Sequence, residues 1–84
     1  MQQHEIEQNL IAFITQELLN NRGDLELTPA DDLLGTQLVD SLGVMRIVAF
    51  LEQSYAVRIP PADVTIENFI TVTSISGYLA GLKG

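Results

Sequence analysis

Cysteine is absent from the sequence, which excludes a disulfide framework, thiolate metal sites and a cysteine nucleophile. Cations are scarce: Arg22, Arg46, Arg58 and Lys83 face 11 acids, for a net charge of −7. Nucleic-acid binding needs clustered cations that release counterions, so that partner class is excluded as well. The one histidine, His4, lies in a polar N-terminal stretch and reads as solvated surface rather than as a base or ligand. Long apolar runs are missing too. The longest, Leu10–Ile14 and Ile47–Leu51, have five residues each, far short of a bilayer span. The opening "MQQHEIEQNL" has neither the basic start nor the apolar run of a secretory signal. These absences together predict a soluble, cytoplasmic protein with no membrane partner.

The sequence does hold enough apolar material for a core. It has 84 residues, 46% of them hydrophobic and 18% charged, which predicts a single domain over 1–84 rather than disorder. Ile6, Leu10, Phe13, Ile14 and Leu18 recur at helical spacing and predict an amphipathic helix over 5–20, stopped by "NNRG" with Gly23 as its cap. Residues 24–39 form a long connection whose leucines at 25, 27, 33, 34 and 38 should tie it to the core. Within it "TPADDLLG" predicts a single helical turn, with Thr28 as cap, Pro29 first and Gly35 past the end. Asp31 and Asp32 lack the alternating ligand spacing of a calcium loop, so capping accounts for them better.

A second helix is predicted from Ser41 to about Tyr55. Val44, Ile47, Val48, Leu51 and Tyr55 fall on its core side; Leu42, Met45, Arg46, Ala49 and Gln53 fall opposite. That opposite face is apolar enough to suggest a docking surface, unless the long connection folds over it. After "VRIPP", Thr65 should cap a brief helix carrying Ile66, Phe69 and Ile70. Val72, Ile75, Leu79 and Leu82 define a last helix, started by Thr71 or Thr73 and frayed by Gly81 and Gly84. No strand-like alternation occurs. The expected fold is all-α, a small bundle of three main helices plus one short helix.

The stretch "LVDSLGV" at 38–44 raises the functional question. A serine nucleophile needs a base and oxyanion donors, and neither a histidine nor a lysine lies near Ser41 in sequence. No phosphate-binding glycine loop or HExxH pattern occurs, so an enzyme is not expected. Attachment is compatible with the position: free N–H groups and a partial positive charge mark a helix start, and a phosphate ester is favoured there. Asp40 is placed to cap the helix, and Gly43 to leave room for a bulky group beside the backbone. A plain capped helix would show the same features.

With "DSL" at 40–42 ahead of an apolar helix, and "LEQSYAVRIPPADVTIENFITVTSISGYL" from 51 to 79, nearly the whole chain resembles an acyl carrier protein or the similar aminoacyl and peptidyl carrier domains. The resemblance implies 4'-phosphopantetheine, taken from coenzyme A by a phosphopantetheinyl transferase and joined to Ser41. The arm's thiol would hold acyl or aminoacyl cargo as a thioester, so a cysteine-free chain would borrow its sulfur. Implied partners are that transferase, a loading ligase or transferase, and downstream biosynthetic enzymes, with the carrier itself monomeric. Implied docking positions are Asp40, Leu42, Val44 and Met45, with Ile66 on the short helix; the helical wheel assigns Val44 to the core. Carriers of bacterial fatty acid synthesis resemble one another in a strongly acidic second helix. Here Arg46 is present and no acid follows Asp40 until Glu52. Docking is therefore expected to use Leu42, Met45 and Arg46, in a specialised pathway. The alternative is an unmodified helical adaptor binding through its Leu42/Met45 face.

Overall fold

The computed structural model of the chain describes residues 3–19, 27–36 and 38–83. All regular structure among them is helical: α1 (Gln3–Phe13), α2 (Ser41–Tyr55), α3 (Ile66–Phe69) and α4 (Val72–Lys83), with a 3-10 turn at Pro61–Asp63. The expected all-α architecture is present. The "NNRG" stop, Gly23, Leu25 and Gly84 lie outside the described residues.

The first helix does not keep one pitch. After Phe13 the backbone widens into a π-helical turn, Ile14–Leu18, closed by the Leu19 N–H donating to the Ile14 carbonyl at 2.9 Å. Ile6, Leu10 and Ile14 are buried as the 3.6-residue spacing requires. The π turn then adds one residue to the step, so Leu19 enters the core and Leu18 is only half-buried. Phe13, also expected inside, is half-buried and stacks on Phe50 of α2 with ring centroids 4.3 Å apart. Asn9 Nδ2 donates to the Tyr55 hydroxyl at 2.8 Å, which leaves Tyr55 at the core edge rather than within it.

Residues 27–36 hold local turns and no helix. Asp31 Oδ2 accepts from the Thr28 N–H at 2.9 Å and Asp32 Oδ1 accepts from the Gly35 N–H at 2.6 Å, so each aspartate closes a local turn. Such side-chain bonds compete with helix formation, and the expected roles reverse: Asp31 caps Thr28. The connection is hooked to the far side of the fold instead. The Pro29 carbonyl accepts from Thr73 N–H and Oγ1 at 3.0 and 3.1 Å, and the Leu33 N–H donates to the Ile70 carbonyl at 2.7 Å. Leu33 is fully buried; Leu27, Leu34 and Leu38 are half-buried.

Helix α2 ends at Ala56, a left-handed residue with φ 53° that relieves the last turn without a glycine. The Glu52 carboxylate then accepts from the Ile59 N–H at 2.8 Å and folds the extended "VRI" back on the helix. Thr65 Oγ1 caps α3 by accepting from the Asn68 N–H at 3.2 Å, and Thr71 Oγ1 caps α4 by accepting from the Ser74 N–H at 3.0 Å. Of the two starts considered for α4, Thr71 is the cap. Val72, Ile75 and Leu79 are fully buried against α1 and α3, with Phe69 among them. Leu82, expected on that stripe, is 41% exposed, because it lies a turn beyond the last residue that faces a neighbour. Gly81 does not end the helix, which runs on to Lys83.

Candidate functional site

Asp40 is extended (φ −95°, ψ −175°) and its Oδ1 accepts from the Gly43 N–H at 2.7 Å. The Val44 N–H turns back to the Asp40 carbonyl at 2.9 Å, so α2 begins at Ser41. The Ser41 side chain is exposed, and its hydroxyl has no hydrogen bond to any described residue. The N–H groups of Ser41 and Leu42 also find no acceptor among the described residues, so two oriented donors and the positive end of a 15-residue helix dipole surround the hydroxyl.

Around this tip the two faces of α2 divide as the periodicity predicts. Val44, Ile47, Val48 and Leu51 are buried, while Leu42, Met45, Arg46, Ala49 and Gln53 are exposed. Leu42 is 71% and Met45 56% exposed, so among the described residues the connection does not fold over them. Arg46 leans toward the π-helical turn that follows α1, its Nη1 donating to the Glu17 carbonyl at 3.3 Å. Ile66 on α3 is 68% exposed, across from Met45.

Between α2 and α3 an open cleft of about 770 Å³ begins at Ser41 and is lined by Leu34, Val44, Met45, Val64, Ile66 and Phe69. Sequence reasoning did not find it. Its far wall depends on Asp63, whose carboxylate accepts from the Tyr78 hydroxyl at 2.5 Å and whose carbonyl accepts from Asn68 Nδ2 at 2.9 Å. Burial, then the hydrogen bond and charge of Asp63, push the Tyr78 phenol up to about 12. The bend at "PPAD" was the one available sequence signal for that wall.

Gly43 corrects an expectation. It is buried, and a Cβ there would stand 2.8 Å from Val39 Cγ1 and 3.3 Å from Asp40 Oδ1. The space beside it holds Val39, not room for an attached group. His4 is exposed on α1, and no cluster of metal-binding side chains occurs among the described residues. No described helix is long and apolar enough to cross a membrane.

The family model described as "phosphopantetheine attachment site" matches residues 9–79. The chain belongs to that family. Its members are acyl and peptidyl carrier proteins, which bear 4'-phosphopantetheine covalently on a serine and present it to partner enzymes. Carrier domains of this kind are typically non-catalytic. No curated protein matches the chain. The site fits the family's cofactor on physical grounds: an exposed serine, two N–H donors with no acceptor among the described residues, and an adjoining apolar cleft.

Proposed function

We propose that residues 1–84 act as one monomeric, cytoplasmic carrier domain, with 4'-phosphopantetheine joined to Ser41 Oγ. The observation that carries this reading is the exposed Ser41 side chain, without a hydrogen bond to any described residue, at the capped start of α2 and inside the stretch matched to the family. The N–H groups of Ser41 and Leu42 are the donors for the phosphodiester, and Asp40 holds the helix end that aims them. When bound, the group supplies a thiol on which acyl, aminoacyl or polyketide-type cargo is held as a thioester. The chain contributes the handle and the address; activation of the hydroxyl falls to the transferase, in keeping with the absence of a histidine or lysine near Ser41 in sequence.

Partner enzymes dock on Leu42, Met45 and Arg46 of α2, with Asp40 and Ile66 at the margin. Exposure of these side chains around Ser41 supports that assignment. The lack of an acid on α2 between Asp40 and Glu52 favours a specialised biosynthetic pathway over general fatty acid synthesis. Incubation with coenzyme A and a broad-specificity phosphopantetheinyl transferase should add the mass of one arm to the wild type and nothing to Ser41→Ala. An unmodified wild type would overturn the reading. The exposed Leu42 and Met45 also favour a second reading, an unmodified adaptor. In that case partner binding survives Ser41→Ala and is lost with Leu42→Glu.

A further inference from the structure

Glycine at the third residue of a 15-residue helix costs about 1 kcal/mol of helix propensity relative to alanine. The φ of Gly43 is not positive, so no backbone conformation requires glycine there. The requirement is steric. A Cβ on residue 43 would lie 2.8 Å from Val39 Cγ1, closer than carbon atoms pack, and Val39 has little freedom to give way. Its side chain is 3% exposed, and its N–H donates to the Leu33 carbonyl at 3.0 Å. Leu33 is itself fully buried and bonded to Ile70 at the α3–α4 junction. A line of fixed contacts therefore runs from that junction through Leu33 and Val39 to the bare backbone of Gly43. Asp40 follows Val39 directly, and its capping oxygen sits 3.3 Å from the same Cβ position. Val39 also borders two clefts at the start of α2, a larger one that includes Ser41 and lies beside α3, and a smaller one beside Leu18 and Arg46.

We propose that Gly43 and Val39 are a positioning pair: Val39 seated on the bare backbone of Gly43 sets where Asp40 and Ser41 present the hydroxyl to the modifying transferase. This rests on the reading that Ser41 accepts the arm. A side chain at 43 must displace Val39 or lift the first turn of α2, and either movement carries Asp40 or Ser41 with it.

The test measures kcat/KM for arm transfer from coenzyme A by intact mass, on the full chain, for wild type, Gly43→Ala, Val39→Ala and the double variant. Small misplacements of a reacting group cost rate steeply, so Gly43→Ala should lower kcat/KM by about tenfold or more. Its thermal midpoint should fall little, because the gain in helix propensity offsets the crowding. Removing the Val39 methyl groups makes the space that the new Cβ needs. In the Val39→Ala background the Gly43→Ala effect should therefore shrink to about twofold or less. A Gly43→Ala protein modified at the wild-type rate overturns the proposal, and so does an equal deficit in both backgrounds. Should Gly43→Ala alone fail to fold, the double variant must fold and be modified within about twofold of Val39→Ala; anything else overturns it. A wild type that gains no arm defeats the reading of Ser41 instead, so the two failures are distinct.

Discussion

Ser41 and Ser76 are both helical serines, one opening α2 and one midway along α4, and their hydroxyls meet opposite surroundings. Ser76 is fully buried and its Oγ lies 2.9 Å from the Val72 carbonyl and 3.1 Å from that of Thr73, with Glu7 Oε2 at 3.4 Å. Its proton is always engaged, and no partner from solvent reaches it. Ser41 is exposed, one residue past the cap, and its hydroxyl bonds to no described residue. A hydroxyl in mid-helix turns back on its own carbonyls, whereas at the first turn there is no preceding carbonyl to take it. Position along a helix, not residue type, makes one serine a handle and the other a packing element.

The contrast breaks most sharply at the level of modification. Ser41→Ala should abolish arm transfer, while Ser76→Ala should be modified at the wild-type rate. Ser76→Ala exchanges one buried hydrogen bond for a better helix former, so its unfolding free energy should move by no more than about 1 kcal/mol. Intact mass and urea denaturation read the two effects separately. Residual modification of Ser41→Ala would show that a second hydroxyl serves, and the contrast would fail.

The two caps sharpen it. Asp40 on α2 and Thr71 on α4 each accept from the N–H three residues on, at 2.7 and 3.0 Å. Replacing either with alanine should cost about 1 kcal/mol of stability. Only Asp40→Ala should also slow arm transfer, by about threefold to tenfold, because only that cap lies beside the acceptor hydroxyl. If Thr71→Ala slows transfer as much as Asp40→Ala at matched stability, the cap acts through general loosening and the site has no local geometry of its own.

Much of α2 was legible because its information is local. A side chain three residues from its N–H partner fixes the start, and a 3.6-residue period separates Leu42, Met45 and Arg46 from Val44, Ile47 and Leu51. Local rules stop where partners are distant in sequence. Nothing near Ile14 signals the π turn that brings in Leu19 and leaves Leu18 at the edge. The turns at Asp31 and Asp32 stand where a single helical turn is expected, because the Pro29 carbonyl is claimed by Thr73, 44 residues away. Gly43 was misread for a related reason: its neighbour Val39 precedes the helix, and only the folded connection brings that side chain onto the glycine. The cleft beside Ser41 needs α3 in place, and α3 is held by a tyrosine 15 residues beyond Asp63.

That tyrosine gives the smallest expected effect, and one that runs opposite to the carboxylates of an acidic protein. The Tyr78 phenol donates to Asp63 and is raised from 10.0 to about 12, by burial first and by the hydrogen bond and charge of Asp63 after it. The folded state thus holds this proton more tightly than the unfolded chain does. Between pH 10 and about 12 the unfolded chain binds fewer protons, so stability falls as pH rises through that window. The contribution is fully present below 10 and is lost by about 12. Tyr78→Phe removes both the bond and the titration. Its urea midpoint should lie below that of wild type under neutral conditions, and the gap should close as pH climbs through the window. Because Asp63 also fixes Asn68, amides of α3 should exchange faster in Tyr78→Phe, while those at the Ser41 end of α2 keep their wild-type rates. Parallel stability curves for the two proteins across that window would show that the phenol titrates no differently on folding, and the wall of the cleft would owe its position to Phe69 packing alone.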